Sequence, residues 1–245
     1  MGGFFVKAII LAAGYATRLY PLTLDKPKAL LPINGVPIID YIVNGLDKIE
    51  NIDKIYVLSN DKFFGHFVEW ANHPKIEIVN DNTTSDETKL GAIGGIDFLL
   101  KEKNIDDDVM IIAGDNFFTY ELKDCYDFFV KMNKDLVCVK QFLNKDEIKR
   151  FGVAVLDSND RIIDVQEKPQ NPKSDIVMYA TYIYKKDTLP LFKTYLEAGN
   201  KPDAPGYFIE WLHKIKDVYG FKIDGDCYDI GTLESYEAVK ESYHD

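Results

Sequence analysis

Short apolar runs alternate with helix-spaced segments along the first ~120 residues, and this limits the chain to an α/β architecture more than any other feature. Val6–Leu11 is a short apolar run stopped by Gly14, which marks a buried parallel strand. Pro37–Ile49 carries Ile38, Ile39, Ile42, Val43, Leu46 and Ile49 at helical spacing. Lys54–Leu58 and Lys75–Val79 read as further strands, with a helix around Phe63–Ala71 between them. Lys89–Leu100 reads as a helix, and Val109–Ala113 as a fourth buried strand ending at Gly114-Asp115. The pattern predicts a Rossmann-like, doubly wound sheet.

Beyond a strand at Leu136–Gln141 the texture changes. Gly152–Leu156, Ile162–Glu167 and Val177–Tyr184 read as strands with no helices between them, so an antiparallel portion is expected and the sheet is read as mixed. Helices at Asp187–Leu196 and Tyr207–Lys214, strands at Val218–Ile223 and Cys227–Asp229, and a helix at Leu233–Ser242 follow. No linker, repeat or low-complexity run interrupts this order, so residues 1–245 are read as a single domain.

The chain is 46% apolar and 13% aromatic, enough for a substantial core, and its net charge is −11. That charge disfavours broad binding to nucleic acid or to an anionic membrane, but leaves room for a few cations focused on phosphates. Cys125, Cys138 and Cys227 lack CxxC pairing and metal spacing and are expected to be buried or idle thiols. The N-terminal segment has neither a basic region nor a cleavage site and is too short to span a bilayer, so a cytoplasmic address is expected.

In a doubly wound sheet, ligands sit outside the carboxyl ends of the strands, here after Leu11, Leu58, Val79 and Ala113. The first of these loops reads Leu11-Ala-Ala-Gly-Tyr-Ala-Thr-Arg-Leu-Tyr-Pro-Leu-Thr, followed by Lys26-Pro-Lys-Ala-Leu-Leu-Pro-Ile33. Small residues directly after a strand let backbone N–H groups approach phosphate oxygens. Arg18 adds a planar fork of donors and Lys28 a point charge. Neither GxxxxGK[ST] nor GxGxxG is present, which argues against a Walker loop and a dinucleotide oxidoreductase.

Gly14-x-x-Thr-Arg-Leu-x-Pro-Leu-Thr followed by Pro27-Lys-x-Leu-x-Pro resembles the signature of sugar-1-phosphate nucleotidyltransferases. That family includes glucose-1-phosphate thymidylyl- and uridylyltransferases and mannose-1-phosphate guanylyltransferases. The resemblance covers most of the chain. It implies a triphosphate site at Leu11, Ala12, Ala13, Gly14 and Thr17, with Arg18 and Lys28 as catalytic cations and Gly91 against the base. Asp115 in Gly114-Asp-Asn and Asp229 in Tyr228-Asp-Ile-Gly-Thr resemble the two carboxylates that hold Mg²⁺. Phe151-Gly-Val and Glu167-Lys-Pro resemble sugar-phosphate segments, so that Gly152 lines the sugar site, Glu167 accepts from sugar hydroxyls and Lys168 holds the phosphate.

The implied reaction joins an NTP, with dTTP or UTP favoured, to a sugar 1-phosphate and releases pyrophosphate. Its attacking phosphate is already an anion and needs no general base. Consistently, His66, His73, His213 and His244 all lie outside the motif loops. The chain also departs from the family pattern. Ala16 replaces a usual glycine, which is tolerable at negative φ and costly at positive φ. Lys89 stands where many relatives read the base with glutamine, Tyr182 replaces a glycine facing the sugar, and Glu210 is a further residue that can face it. A phosphocholine-type cytidylyltransferase and a non-catalytic nucleotide-sugar-binding protein are the alternatives. No hexapeptide repeats follow Asp229, so a monofunctional enzyme is expected, and the oligomeric state is left open.

Overall fold

The computed structural model describes residues 5–142 and 144–243. Strand β1 (Val6–Leu11) leads to a small hairpin, β2 (Pro32–Ile33) and β3 (Val36–Pro37), and then to α1 (Ile38–Asp47). β4 (Ile52–Ser59), α2 (Phe64–Trp70), β5 (Ile76–Asn80) and α3 (Gly91–Glu102) continue the alternation. β6 (Asp108–Ala113), β7 (Asn116–Phe118), α4 (Leu122–Met132) and β8 (Asp135–Gln141) come next. A short α5 (Lys145–Ile148) precedes β9 (Gly152–Leu156), β10 (Ile162–Glu167) and β11 (Ile176–Tyr184). α6 (Pro190–Glu197), α7 (Pro205–Leu212), β12 (Val218–Lys222), β13 (Cys227–Asp229) and α8 (Leu233–Ser242) follow. The fold class is α/β with mixed strand pairing, as the sequence pattern predicts. His244 lies outside the described residues.

Contacts group the chain into two compact units. The first runs to Leu90 and takes in Ile112–Lys123 and the chain from Gly225; the second comprises Gly91–Ile111 and Asp124–Asp224. In the first unit β1 pairs in parallel with β4 (Ile9 opposite Tyr56), and β4 with β5 (Ile55 opposite Ile76). α1 buries Ile38, Ile39, Ile42, Val43 and Leu46, the stripe seen in the sequence. The β2–β3 hairpin turns on Asn34 and Gly35, both at positive φ, the conformation a two-residue hairpin loop demands. α8 starts with a capping box in which Thr232 and Ser235 satisfy each other's backbone donors.

In the second unit β8 pairs antiparallel with β11 and parallel with β12, while β9 pairs antiparallel with β10 and β11. Cys125 and Cys138 are buried and not bridged by a disulfide, their sulfurs 3.1 Å apart. Among the described residues no helix is long and apolar enough to cross a membrane.

One ionic network fastens this unit. Asp135 is fully buried and accepts from the Lys185 amide (2.7 Å) and the Thr188 hydroxyl (2.7 Å), with the Lys216 ammonium 3.1 Å away. Burial outweighs these bonds and pushes the Asp135 carboxyl above its ordinary value. Asp135→Ala leaves the buried Lys185 amide and Thr188 hydroxyl without their acceptor, and leaves Lys216 with Asp187 as its remaining carboxylate, and is expected to cost about 3 kcal/mol in urea unfolding. Asp135→Asn keeps an acceptor for the Lys185 amide and should cost less. Equal losses in the two variants would trace the cost to something other than those stranded donors.

Candidate functional site

The loop after β1 is held from several sides. The Ala12 amide still donates to the Leu58 carbonyl at 2.9 Å, and Asn60 Nδ2 donates to the Ala13 carbonyl at 2.9 Å. Asn60 is itself oriented by the Phe63 amide, which donates to its Oδ1. At the end of β6 the Gly114 amide donates to the Leu11 carbonyl at 2.8 Å. A Cβ on Gly114 would lie 2.9 Å from Ile10 Cγ2 and 3.0 Å from the Leu11 oxygen, so glycine is what lets β6 end against this loop. Tyr15 is buried with its hydroxyl 3.4 Å from Thr83 Oγ1. Gly14, Thr17 and Arg18 stay exposed.

Ala16 takes the costly branch set out above: its φ is 49° and its ψ 40°. This left-handed residue starts a 3₁₀ turn, Thr17–Leu19, which buries Leu19 and turns Arg18 outward. The Ala16 carbonyl is gripped by the Leu19 amide (2.9 Å) and by the fully buried Thr23 hydroxyl (2.8 Å). Those bonds offset the strain of a Cβ in the left-handed region, about 1 kcal/mol.

A second 3₁₀ turn, Lys28–Leu30, presents Lys28 from a buried position, with its side chain only 8% exposed. Its Nζ lies 2.9 Å from Asp115 Oδ2 and 4.0 Å from Asp229 Oδ1. The two carboxylates are brought near each other by the antiparallel β7–β13 pair, which sets Asp229 opposite Asn116, the neighbour of Asp115. Arg18 flanks the same place. A Cβ on Gly231 would sit 3.4 Å from Asp229 Oδ2 and 3.6 Å from Arg18 Nη2. The first unit therefore brings Arg18, Lys28, Asp115 and Asp229 together beside Leu11–Gly14.

Each of these side chains lies within a few residues of a buried apolar one. Leu19, Leu31, Phe117 and Ile230 belong to a single core cluster, together with Ile33, Ile38, Tyr236 and Val239. The polar face is fixed by the packing behind it. With two cations against two carboxylates the site is close to neutral. The carboxylates are roughly half exposed, which suits a cation that takes few protein ligands and fills its shell with substrate oxygens and water.

In the second unit the β9–β10 register sets Glu167 opposite Gly152. The Glu167 carboxylate fills a slot between two glycines. A Cβ would lie 2.8 Å from Oε2 at Gly152 and 1.8 Å from it at Gly206, with the Met178 methyl forming another wall. Burial raises the carboxyl above the usual range; the Lys168 charge counters this and the Glu210 charge adds to it. Lys168 is exposed at positive φ (48°), with its amide donating to the Phe151 carbonyl at 3.1 Å.

Gly91 adopts φ 75° in close contact with Pro202, where a Cβ would come 2.6 Å from the carbonyl oxygen; packing alone accounts for the glycine. Lys89 forms an ion pair with Asp86 at 3.0 Å, both being half exposed. Tyr182 is buried and stacks on Tyr184 at 5.9 Å, its hydroxyl held protonated by burial and by the nearby Glu167. Sequence reasoning gave no role to Asn60, to Thr23, which closes the Gly14–Thr23 motif, or to Gly206, which stands next to Pro205 at a helix start.

A small-residue loop at the end of β1, with two cations and two carboxylates beside it on an α/β scaffold, is a set of groups chemically suited to phosphate oxygens. The chain belongs to the nucleotidyl transferase family, a family of enzymes, whose model matches residues 7–245. It is 34% identical to the bifunctional protein GlmU of Methanocaldococcus jannaschii over 92% of its own length, and spans 51% of that relative. It is 29% identical to the UTP–glucose-1-phosphate uridylyltransferase AglF of Haloferax volcanii, over 73% of this chain and 72% of that one. Its fold matches UDP-glucose pyrophosphorylase complexed with UDP-glucose, with a TM-score of 0.82, 18% identity and 98% of both chains covered.

Ala16→Gly removes the left-handed strain while leaving the gripped carbonyl in place. It should keep the fold and raise stability by a few tenths of a kcal/mol, roughly the strain of about 1 kcal/mol less glycine's added unfolded-state entropy. A lowered urea midpoint would show that the entropy term wins.

Proposed function

We propose that this protein is an Mg²⁺-dependent nucleotidyltransferase that joins an NTP to a sugar 1-phosphate, giving an NDP-sugar and pyrophosphate. The observation that carries the reading is Lys28 lying between Asp115 and Asp229 with Arg18 alongside, next to the β1 loop. dTTP or UTP is the preferred nucleotide in this reading, and the cytoplasm its setting. Residues 1–245 work as one nucleotidyltransferase domain.

The first unit handles the triphosphate. Backbone N–H groups of the Leu11–Gly14 loop and Thr17 approach its oxygens, and Arg18 and Lys28 neutralise the charge that gathers on the α-phosphate as pyrophosphate leaves. Because the protein charges at this site nearly cancel, an arriving triphosphate calls for a further cation. Asp115 and Asp229 would hold Mg²⁺, which when bound supplies charge neutralisation at the phosphates. The second unit handles the acceptor. Lys168 draws in its phosphate, Glu167 accepts from its hydroxyls, and the Gly152 backbone forms a wall that admits the ring. No proton is moved, because the attacking oxygen is anionic. The protein's work is alignment and charge stabilisation.

Measuring pyrophosphate release over a panel of NTPs and phosphorylated acceptors tests the reading. Release with a sugar 1-phosphate is expected, and its absence for every sugar 1-phosphate tried would refute it. Arg18→Ala and Asp229→Asn should each lower kcat by about two to three orders of magnitude, the usual scale for losing a charge-stabilising group. Gly206→Ala pushes the Glu167 carboxylate out of its slot. It should raise the KM for the acceptor by about tenfold or more and leave the KM for the NTP nearly unchanged. A parallel rise in both constants would remove Glu167 from acceptor binding.

A further inference from the structure

The second unit carries a cleft that the proposed reaction does not use. It lies where the end of α6 meets α7, with a volume of about 410 Å³, within the roughly 300–1,000 Å³ typical of small-ligand sites. Tyr195, Tyr207 and Trp211 form its aromatic walls, and Lys201, Glu210 and Lys214 bring charge to it.

The floor is built rather than incidental. α6 ends at Glu197, and Gly199, at φ 76°, takes the left-handed conformation common just past a helix C-terminus. The Tyr195 hydroxyl donates to the Lys201 carbonyl at 2.8 Å, and Asn200 Nδ2 donates to the Tyr195 carbonyl at 2.9 Å. Burial, with the nearby Glu210 and Tyr207, pushes the Tyr195 hydroxyl up to about 12, so it remains a donor. Tyr195 also packs edge-on against Trp211 at 5.6 Å.

The charged groups around this floor make no ion pairs among the described residues. Glu210 lies in α7 and Lys214 two residues past its end, and among the described residues no ion pair joins them. Lys201 rests over the face of Tyr207 at 5.0 Å. Among the described residues, neither lysine has a carboxylate within ion-pair distance. In a chain of net charge −11, two unpaired lysines at one aromatic cleft are an anion-attracting feature. Aromatic faces beside a carboxylate, an amide oxygen and an indole N–H match the apolar faces and hydroxyl edges of a pyranose.

We propose that this cleft is a second ligand site that takes a phosphorylated sugar, with the ring against Tyr207 and Trp211, its hydroxyls on Glu210 and Asn200, and its phosphate between Lys201 and Lys214. Glu210 also adds to the rise of the Glu167 carboxyl, so the cleft lies within electrostatic reach of the acceptor residues. A test must therefore separate the two places.

Trp70 and Trp211 are the chain's two tryptophans, so a Trp70→Phe protein reports from Trp211 alone. It is titrated, without NTP, with glucose 1-phosphate, glucose 6-phosphate, glucose and inorganic phosphate. A saturable change in emission is expected with the sugar phosphates, at about tenfold lower concentration than with glucose or phosphate. Lys201→Ala with Lys214→Ala should weaken it about tenfold or more, and Lys168→Ala should leave it unchanged. Calorimetry should then count two sugar phosphates per chain. The proposal is overturned by a response lost in Lys168→Ala, by one preserved in the double lysine variant, by phosphate alone binding equally well, or by a single site.

Discussion

Lys28 is a buried ammonium whose two carboxylate partners come from elements far away in the chain. Taking such a charge out of water costs several kcal/mol, and only close oppositely charged groups offset this. The turn at Lys28, the end of β6 and the end of β13 must therefore converge before the lysine is tolerable in its place. The arrangement depends in turn on the apolar cluster of Leu19, Leu31, Phe117 and Ile230, which fixes the segments bearing Arg18, Lys28, Asp115 and Asp229. The first unit thus holds a preorganised set of charges. In the proposed reaction they act without reorganising, which is where electrostatic catalysis gains most of its strength.

Much of the frame was legible because its signals are periodic. Buried runs such as Val109–Ala113 and the stripe from Ile38 to Leu46 report burial directly. Two omissions had readable signals of their own. Leu122, Cys125, Tyr126 and Phe129 follow helical spacing and are all buried in α4. Asn34-Gly35 between Pro32-Ile33 and Val36-Pro37 is a two-residue hairpin signature. Ala16 is a different case. Sequence could pose the question of its φ, but the answer depends on how the chain folds back so that Leu19 and Thr23 of the same motif grip its carbonyl, a backbone geometry that residue types alone do not give.

The site was less legible than the frame for the same reason. Motif spacing pointed to Arg18, Lys28, Asp115 and Asp229 but said nothing about how the carboxylates meet. That follows from the β7–β13 register, and β7 has only three residues. Likewise Glu167 was visible as a motif residue, whereas its slot depends on Gly206 from another element. Asn60 carries no sign in its neighbours that it holds the Ala13 carbonyl. Contacts between elements leave little trace in local sequence unless backbone geometry forces a residue type, as it does at Gly91 and Gly114.

The slot also bears on how an acceptor would be chosen. Glu167 is a carboxylate that burial has already made costly to ionise, and the two flanking glycines bring no side-chain donor to it. In the proposed reaction, acceptor hydroxyls make up that deficit. A site of this kind rejects a ligand lacking the matching hydroxyl much more strongly than one differing by a methylene, because the missing bond leaves a buried charge unpaired. Tyr182, packed on Tyr184 with its hydroxyl held neutral, adds bulk near Glu167 without adding charge. In the proposed reaction, selectivity in the second unit would rest on hydroxyl pattern more than on size, while the first unit, whose charges are already nearly balanced, would be indifferent to the sugar.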